Sequence, residues 1–140
     1  MQLNQDIDAK LTERFGHDVL IALATAADSL PSVRAVDAVY ADGCFHVITH
    51  ARSGKMQHIA ANPHVGVCGE WFTGHGVAEN AGHVLREENA AMMARLRKAF
   101  ADWYGNGHVD ESDPDTILLR IRLTDGVLFW QGTRYEIDFT

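Results

Sequence analysis

The chain has 140 residues, 46% of them apolar, and a formal net charge of -7. That length fits one domain with a sizeable core. The acidic balance argues against nucleic acid and anionic membrane surfaces as partners, and no apolar run approaches a membrane span.

Leu3, Ile7, Leu11 and Phe15 recur every four residues among charged ones, which predicts a first amphipathic helix closed by Gly16. Val19–Thr25 is a continuous apolar run and reads as a buried strand. Asp28-Ser29-Leu30-Pro31 predicts a turn, Ser32–Tyr40 a second strand, Asp42-Gly43 a hairpin turn and Cys44–Thr49 a third strand. That strand leads straight into Ser53-Gly54-Lys55. Ser53 is a good N-cap, Met56, Ile59 and Ala60 give a short helix one apolar face, and Asn62-Pro63 stops it.

The start of this short helix carries chemistry. A helix N-terminus exposes unpaired N–H groups and the positive end of the dipole. With the hydroxyls of Thr49 and Ser53 and the cation of Lys55, it makes a phosphate cradle; Gly54 lets backbone approach a ligand. It is not a Walker loop, because Thr49 and Met56 stand where that loop needs glycine and a hydroxyl residue. The chain has only three lysines, so abundance does not explain Lys55. The competing reading is an ordinary capped surface helix with a solvated lysine.

His64–Cys68 reads as a further strand. Two strands fit the Gly-punctuated stretch from Gly69 to Glu79, with the turn between them unplaced, and Gly82 breaks the chain. Glu87–Tyr104 predicts a second long helix with Leu85, Met92, Leu96, Phe100 and Trp103 on one stripe, ended by Gly105-Asn106-Gly107. Val109–Asp115 is an acidic loop. Ile117–Leu123 alternates as a half-buried strand, Asp125-Gly126 predicts a turn, Val127–Gln131 a return strand and Tyr135–Phe139 a last extended segment. Six or seven hairpin-connected strands predict an antiparallel barrel.

Other chemistries find little support. Cys44 and Cys68 lack Cys-x-x-Cys spacing and read as reduced thiols of a cytoplasmic protein. His46 and His50 share a strand face, and His75 could join them, but no metal motif is present. There is no Gly-x-Ser-x-Gly and no Gly-x-Gly-x-x-Gly after a strand. Trp71 and Trp130 lie outside the helix stripe. They pack in a core or against a flat heteroaromatic ligand.

The order of motifs carries a resemblance. Leu23-Ala24-Thr25, Ser32-Val33-Arg34-Ala35-Val36, Phe45-His46-Val47-Ile48-Thr49, Ser53-Gly54-Lys55, Asn62-Pro63 and Gly76-Val77-Ala78-Glu79 follow one another. The chain resembles the FMN-binding split β-barrel family related to pyridoxamine 5′-phosphate oxidase. Its back half is similar to the small bacterial branch that includes general stress proteins. The resemblance implies a mainly β, α+β fold: a six-stranded antiparallel split barrel with Greek-key connections, flanked by helices, in one domain spanning residues 1–140. It implies FMN as cofactor, ahead of FAD or F420, held at the interface of a homodimer.

The same resemblance assigns residues. Arg34 matches the arginine that reaches the flavin phosphate, and Ala35 and Val36 the backbone along the ring. Ile48 and Thr49 match the next contact pair. Ser53 and Lys55 match the phosphate-binding helix start, where Gly54 replaces the family's arginine and Arg52 is the candidate substitute. Trp71 falls near a glutamine that meets the ring, and Trp130 is a candidate contact from the second subunit. Oxidases of the family carry a C-terminal Arg-x-His that grips substrate. No histidine follows His108 here, which argues against pyridoxamine-phosphate oxidation and, by the same lack, against haem degradation.

Three functions compete at this point. The first is a flavin oxidoreductase that moves hydride between a nicotinamide nucleotide or small reductant and an acceptor. The second is a flavin carrier or redox sensor without turnover. The third is a ligand-free dimeric interaction module.

Overall fold

A computed structural model describes Met1–Thr140. The strands are β1 (Val19–Ala27), β2 (Leu30–Ala41), β3 (Cys44–His50), β4 (His64–Gly69), β5 (Phe72–His83), β6 (Thr116–Trp130) and β7 (Thr133–Asp138). All pair antiparallel, in the order β3-β2-β1-β4-β5-β6-β7. A further β3–β6 pairing closes the first six into a barrel, and β7 adds to β6 outside the ring. The helices are α1 (Gln5–Phe15), α2 (Gly54–Ala61), α3 (Ala90–Ala99) and α4 (Ala101–Tyr104), with a 3₁₀ turn at Glu87–Asn89. None is long and apolar enough to cross a membrane.

Two-residue turns set the hairpin registers. Asp28-Ser29, Asp42-Gly43 and Gln131-Gly132 all have positive φ at both positions, the twist that matches right-handed strand pairs. Leu30 and Pro31, expected in the first turn, already pair with Ala27 and Ala26 in the ladder. The stretch from Gly69 to Glu79 is not two strands: its turn is Glu70-Trp71, with Trp71 at φ 54°, and it joins β4 to the single strand β5, which runs on with a bulge through Gly82 to His83.

The barrel interior holds one core of 22 buried residues. Phe15 packs edge-on against Phe45 and Phe72, so α1 plugs the interior between strands. Asn4 caps α1 by accepting from the Ile7 N–H at 2.9 Å. A smaller core outside the ring joins Met93, Leu96 and Phe100 to Val39, Val84 and Leu118.

Three further expectations need correction. Val19–Thr25 is not buried on both faces: Ile21, Leu23 and Thr25 point inward, while Leu20 is 66% exposed on an apolar outer face. Glu87–Tyr104 is not one helix. It breaks at Phe100, and Met93 rather than Leu85 fills the core. Asp125-Gly126 is not a turn. β6 runs unbroken through it, with Thr124 bulged between Leu123 and Asp125. Gly126 is there for clearance: a Cβ at this position would lie 2.7 Å from the Phe72 ring.

The barrel is split. β2 pairs with β1 from Leu30 to Ala38 but with β3 only at Val39–Ala41. β3 residues 47–50 pair with β6 and not with β2. The edges of β2 and β3 therefore diverge below Val39, leaving main-chain groups facing a slot.

Candidate functional site

The end of β1, the start of β2 and the start of α2 converge at one end of the barrel. Arg34 pairs with Leu23 across the β1–β2 ladder and lies on the same side as Val36, Ala38 and Tyr40. Its guanidinium donates to the Thr25 hydroxyl at 2.7 Å and to the Leu23 carbonyl at 3.3 Å. Thr25 Oγ1 lies 2.9 Å from His58 Nδ1 of α2. Because Thr25 accepts from Arg34, its own hydrogen is free for that ring nitrogen.

Lys55 stands in the first turn of α2. Its ammonium donates to Thr49 Oγ1 at 2.6 Å and to Ser53 Oγ at 3.4 Å. Ser53 occupies the cap position, but its side chain makes no cap hydrogen bond. The expected cap is thus diverted to the lysine. Burial first, and then the Arg34 charge, push the Lys55 ammonium below its usual value. Neither cation pairs with a carboxylate; their partners are hydroxyls and carbonyls.

Two half-buried like charges side by side are costly unless an anion faces them. The donor set is two cations, the Thr49 and Ser53 hydroxyls and the free N–H groups of a helix start carrying no acidic residue in its first turn. It fits a phosphate group. Gly54 adds access: nothing lies within 4 Å of where its Cβ would be.

The sequence-read residues fall into two groups. Arg34, Thr49, Ser53, Gly54 and Lys55 come together in the cradle. Ala35, Val36 and Ile48 flank the slot beside it. Val36 is buried in the core, so only its main chain is available there. Ile48 and Thr49 also line an open cavity of about 300 Å³ shared with His50, His108, Asp113 and Thr116.

Trp71 and Trp130 lie elsewhere in the protomer. Trp71 sits at the β4–β5 tip, 68% exposed and edge-on to Phe129. It lies in the turn beyond Gly69, at the end of β4 past Val67, the residue level with Leu23 and Arg34. Trp130 lies under the Arg14 guanidinium, 4.7 Å from the ring centroid, and under Lys10. Arg52 does not replace the missing family arginine. It pairs with Asp115 at 3.0 Å, outside the cradle.

Thr25 and His58 were not singled out by the sequence. The available signals were a hydroxyl on the inward side of an apolar strand and a histidine three residues after Lys55 on one helix face.

The histidines do not gather. His46 is buried in β3, and His75 is on β5, hydrogen-bonded to Asp125 at 3.0 Å. His50 instead meets Asp113 and Asp115, with ligand atoms within 4.8 Å of one another. Its Nδ1 accepts from the Arg52 main-chain N–H at 3.2 Å. In a neutral ring Nε2 then carries the proton, and it faces Asp113 at 3.3 Å as a donor rather than as a metal ligand.

The sequence matches the family model described as pyridoxamine 5′-phosphate oxidase over residues 7–129. The chain belongs to that family. No curated protein sequence matches it. Solved structures similar to this family member include general stress protein 26 of Bacillus anthracis str. Sterne. The two share 16% identity over 94% of this chain and 99% of that one, with a TM-score of 0.69. A putative pyridoxamine 5′-phosphate oxidase from Listeria innocua gives 0.64 at 15% identity, over 91% of this chain and 97% of that one. A FAD-binding protein from Mesorhizobium loti gives 0.59 at 21% identity, over 89% and 92%. At these identities the likeness establishes the split-barrel fold.

Proposed function

We propose that this member of the pyridoxamine 5′-phosphate oxidase family binds FMN and is a flavin-dependent oxidoreductase. The observation that carries the reading is the Arg34–Lys55 pair, two half-buried cations that meet hydroxyls and no carboxylate. Arg34, Thr49, Ser53 and Lys55 would hold the phosphate, with Thr25 and His58 fixing the arginine. The main chain of Ala35 and Val36 and the side chain of Ile48 would meet the ring along the split. A bound flavin supplies hydride and electron transfer. The chain's own residues then bind, orient and shield, which is why no nucleophile–base pair is needed.

The relative with FAD-binding in its name supports a flavin; the phosphate cradle favours FMN, whose phosphate is terminal. Pyridoxamine-phosphate oxidation is not supported. The oxidases' C-terminal Arg-x-His has no counterpart here, since no histidine follows His108.

A homodimer completes the proposal. Leu20, Ala22, Ala24, Val33, Ala35 and Cys68 share one outer face of β1, β2 and β4. Leu20 and Val33 are 66% and 69% exposed on it. Apolar surface of this kind, beside the slot, suits a second copy.

The test is direct. Apoprotein titrated with FMN, FAD and riboflavin, followed by flavin fluorescence, should show FMN bound most tightly. Equal affinity for FMN and riboflavin would remove the cradle from the reading. Oxidation of NADH or NADPH by the yellow protein separates an oxidoreductase from a flavin carrier or sensor.

A further inference from the structure

Asp18 and Asp37 lie on neighbouring positions of the β1–β2 hairpin. Leu20 pairs with Asp37 in the β1–β2 ladder. Asp18, two residues earlier and on the same side, is therefore its diagonal neighbour, within side-chain reach. Asp18 Oδ2 accepts from Trp103 Nε1 at 2.8 Å. Asp18 Oδ1 is buried and has no N–H or O–H donor among the fixed groups of the protein. A buried carboxylate oxygen without a donor is costly.

One proton resolves it. A carboxyl on Asp37 donates its O–H to Asp18 Oδ1, and the pair carries one negative charge instead of two. Burial, then the hydrogen bond and charge of Asp18, push the Asp37 carboxyl above the usual carboxylate range, with His108 pulling it down. Asp37 also lines an open cavity of about 400 Å³ with Ile48, Trp103 and His108. That cavity adjoins the slot, because Ile48, His108 and Val109 line the neighbouring cavity too.

We propose that Asp37, sharing a proton with Asp18, is the proton donor to a neutral carbonyl-type ligand bound in this cavity. The Asp37 O–H bond breaks as an O–H bond forms on the ligand oxygen. The electron pair would come as a hydride that reduced flavin, the reductant of the reading above, supplies to a ligand carbon, and the Asp37 carboxylate recovers a proton from water at the open side. Asp110 and Asp113 in the adjoining cavity disfavour an anionic ligand. The choice of an electron-accepting ligand rests on the flavin reading above; the shared proton does not.

Two variants separate a proton donor from a structural contact. Asp37→Asn keeps an N–H donor to Asp18 but has no transferable proton. Asp18→Asn removes the charge that holds the proton on Asp37. Carbon-detected NMR titration of the aspartate side chains in the flavin-free protein reads the pair itself. Wild type should show one carboxyl titrating above the ordinary range, and Asp18→Asn should return Asp37 toward it. Both wild-type carboxyls titrating near the ordinary value of about 4 would overturn the pair. In FMN-loaded protein reduced with dithionite, 2-cyclohexen-1-one reports donation. Wild-type turnover should fall as pH rises through the upper titration, and Asp37→Asn should be slower by on the order of a hundred-fold. Equal rates in the two proteins, including none, would overturn the donor role. Failure to load FMN would sink the flavin reading, and the titration would still decide the pair.

Discussion

Lys55 shows how little of a site's chemistry a residue type discloses. From local sequence chemistry alone it reads first as a solvated surface lysine. Half-buried beside Arg34, with hydroxyl partners alone, it is a cation in need of an anion. Charge-assisted hydrogen bonds of this kind contribute on the order of 1.5–3 kcal/mol each. Lys55→Ala should weaken FMN binding roughly ten- to a hundred-fold and leave riboflavin affinity unchanged. Fluorescence titration of both flavins into both apoproteins checks this. The fold should survive, since the lysine anchors no core contact. His46 makes the opposite case, a titratable residue used as packing. Burial holds its imidazole down to about 4, against the Ala41 hydrogen bond and with the Arg120 and Arg95 charges adding to the effect. The unfolded chain takes up a proton near pH 6.5, whereas the folded chain resists until about 4. Stability is therefore full above pH 6.5, declines as pH falls through that window, and levels off below it. The gap is worth on the order of 3 kcal/mol. Urea midpoints at pH 7.5 and 4.5 should converge in His46→Leu compared with wild type.

Elements were legible where a pattern is local. Asp42-Gly43 between two apolar runs announced its hairpin, and Ser53 with Asn62-Pro63 bracketed α2 within a residue. Misreadings came where tertiary packing decides. Leu20 is as apolar as its inward neighbour Ile21, so nothing local says which face of β1 is buried. Phe100 satisfies a helical stripe, yet the helix breaks there to seat its ring against Val39 and Leu118. Asp125-Gly126 has turn composition, but its glycine answers to Phe72, far away in sequence. Gly126→Ala would push a methyl to 2.7 Å from that ring and 3.2 Å from Phe139. Phe72 is itself packed between Phe15 and Phe45 and cannot retreat. The substitution should destabilise the barrel by about 1–3 kcal/mol, read as a lower urea midpoint at unchanged slope. Of the cradle, the half carried by contiguous residues, Thr49 to Lys55, was readable from chemistry. Arg34 came through the resemblance, because only folding brings it to the lysine. Thr25 and His58 went unread for the same reason.

At the scale of the whole molecule, the apolar face of β1, β2 and β4 sets the expected assembly. Cys68 lies on it and is exposed in the single chain, whereas Cys44 is half-buried in β3. A dimer through this face should slow iodoacetamide labelling of Cys68 as protein concentration rises, with Cys44 unaffected. Val33→Glu should abolish that protection and halve the sedimenting mass. Concentration-independent labelling of Cys68 would argue for a monomer. The strand ladder has one further consequence, for the order in which the molecule can be made. β6 alone pairs with β3, β5 and β7, and it closes the ring. It begins at Thr116, so vectorial synthesis delivers every cradle residue long before the strand that joins β3 to β5. During that interval the nascent chain presents two unpaired edges and an open apolar interior, the exposure that invites chaperones or aggregation. The cradle residues are thus made before the strand that closes the ring around them.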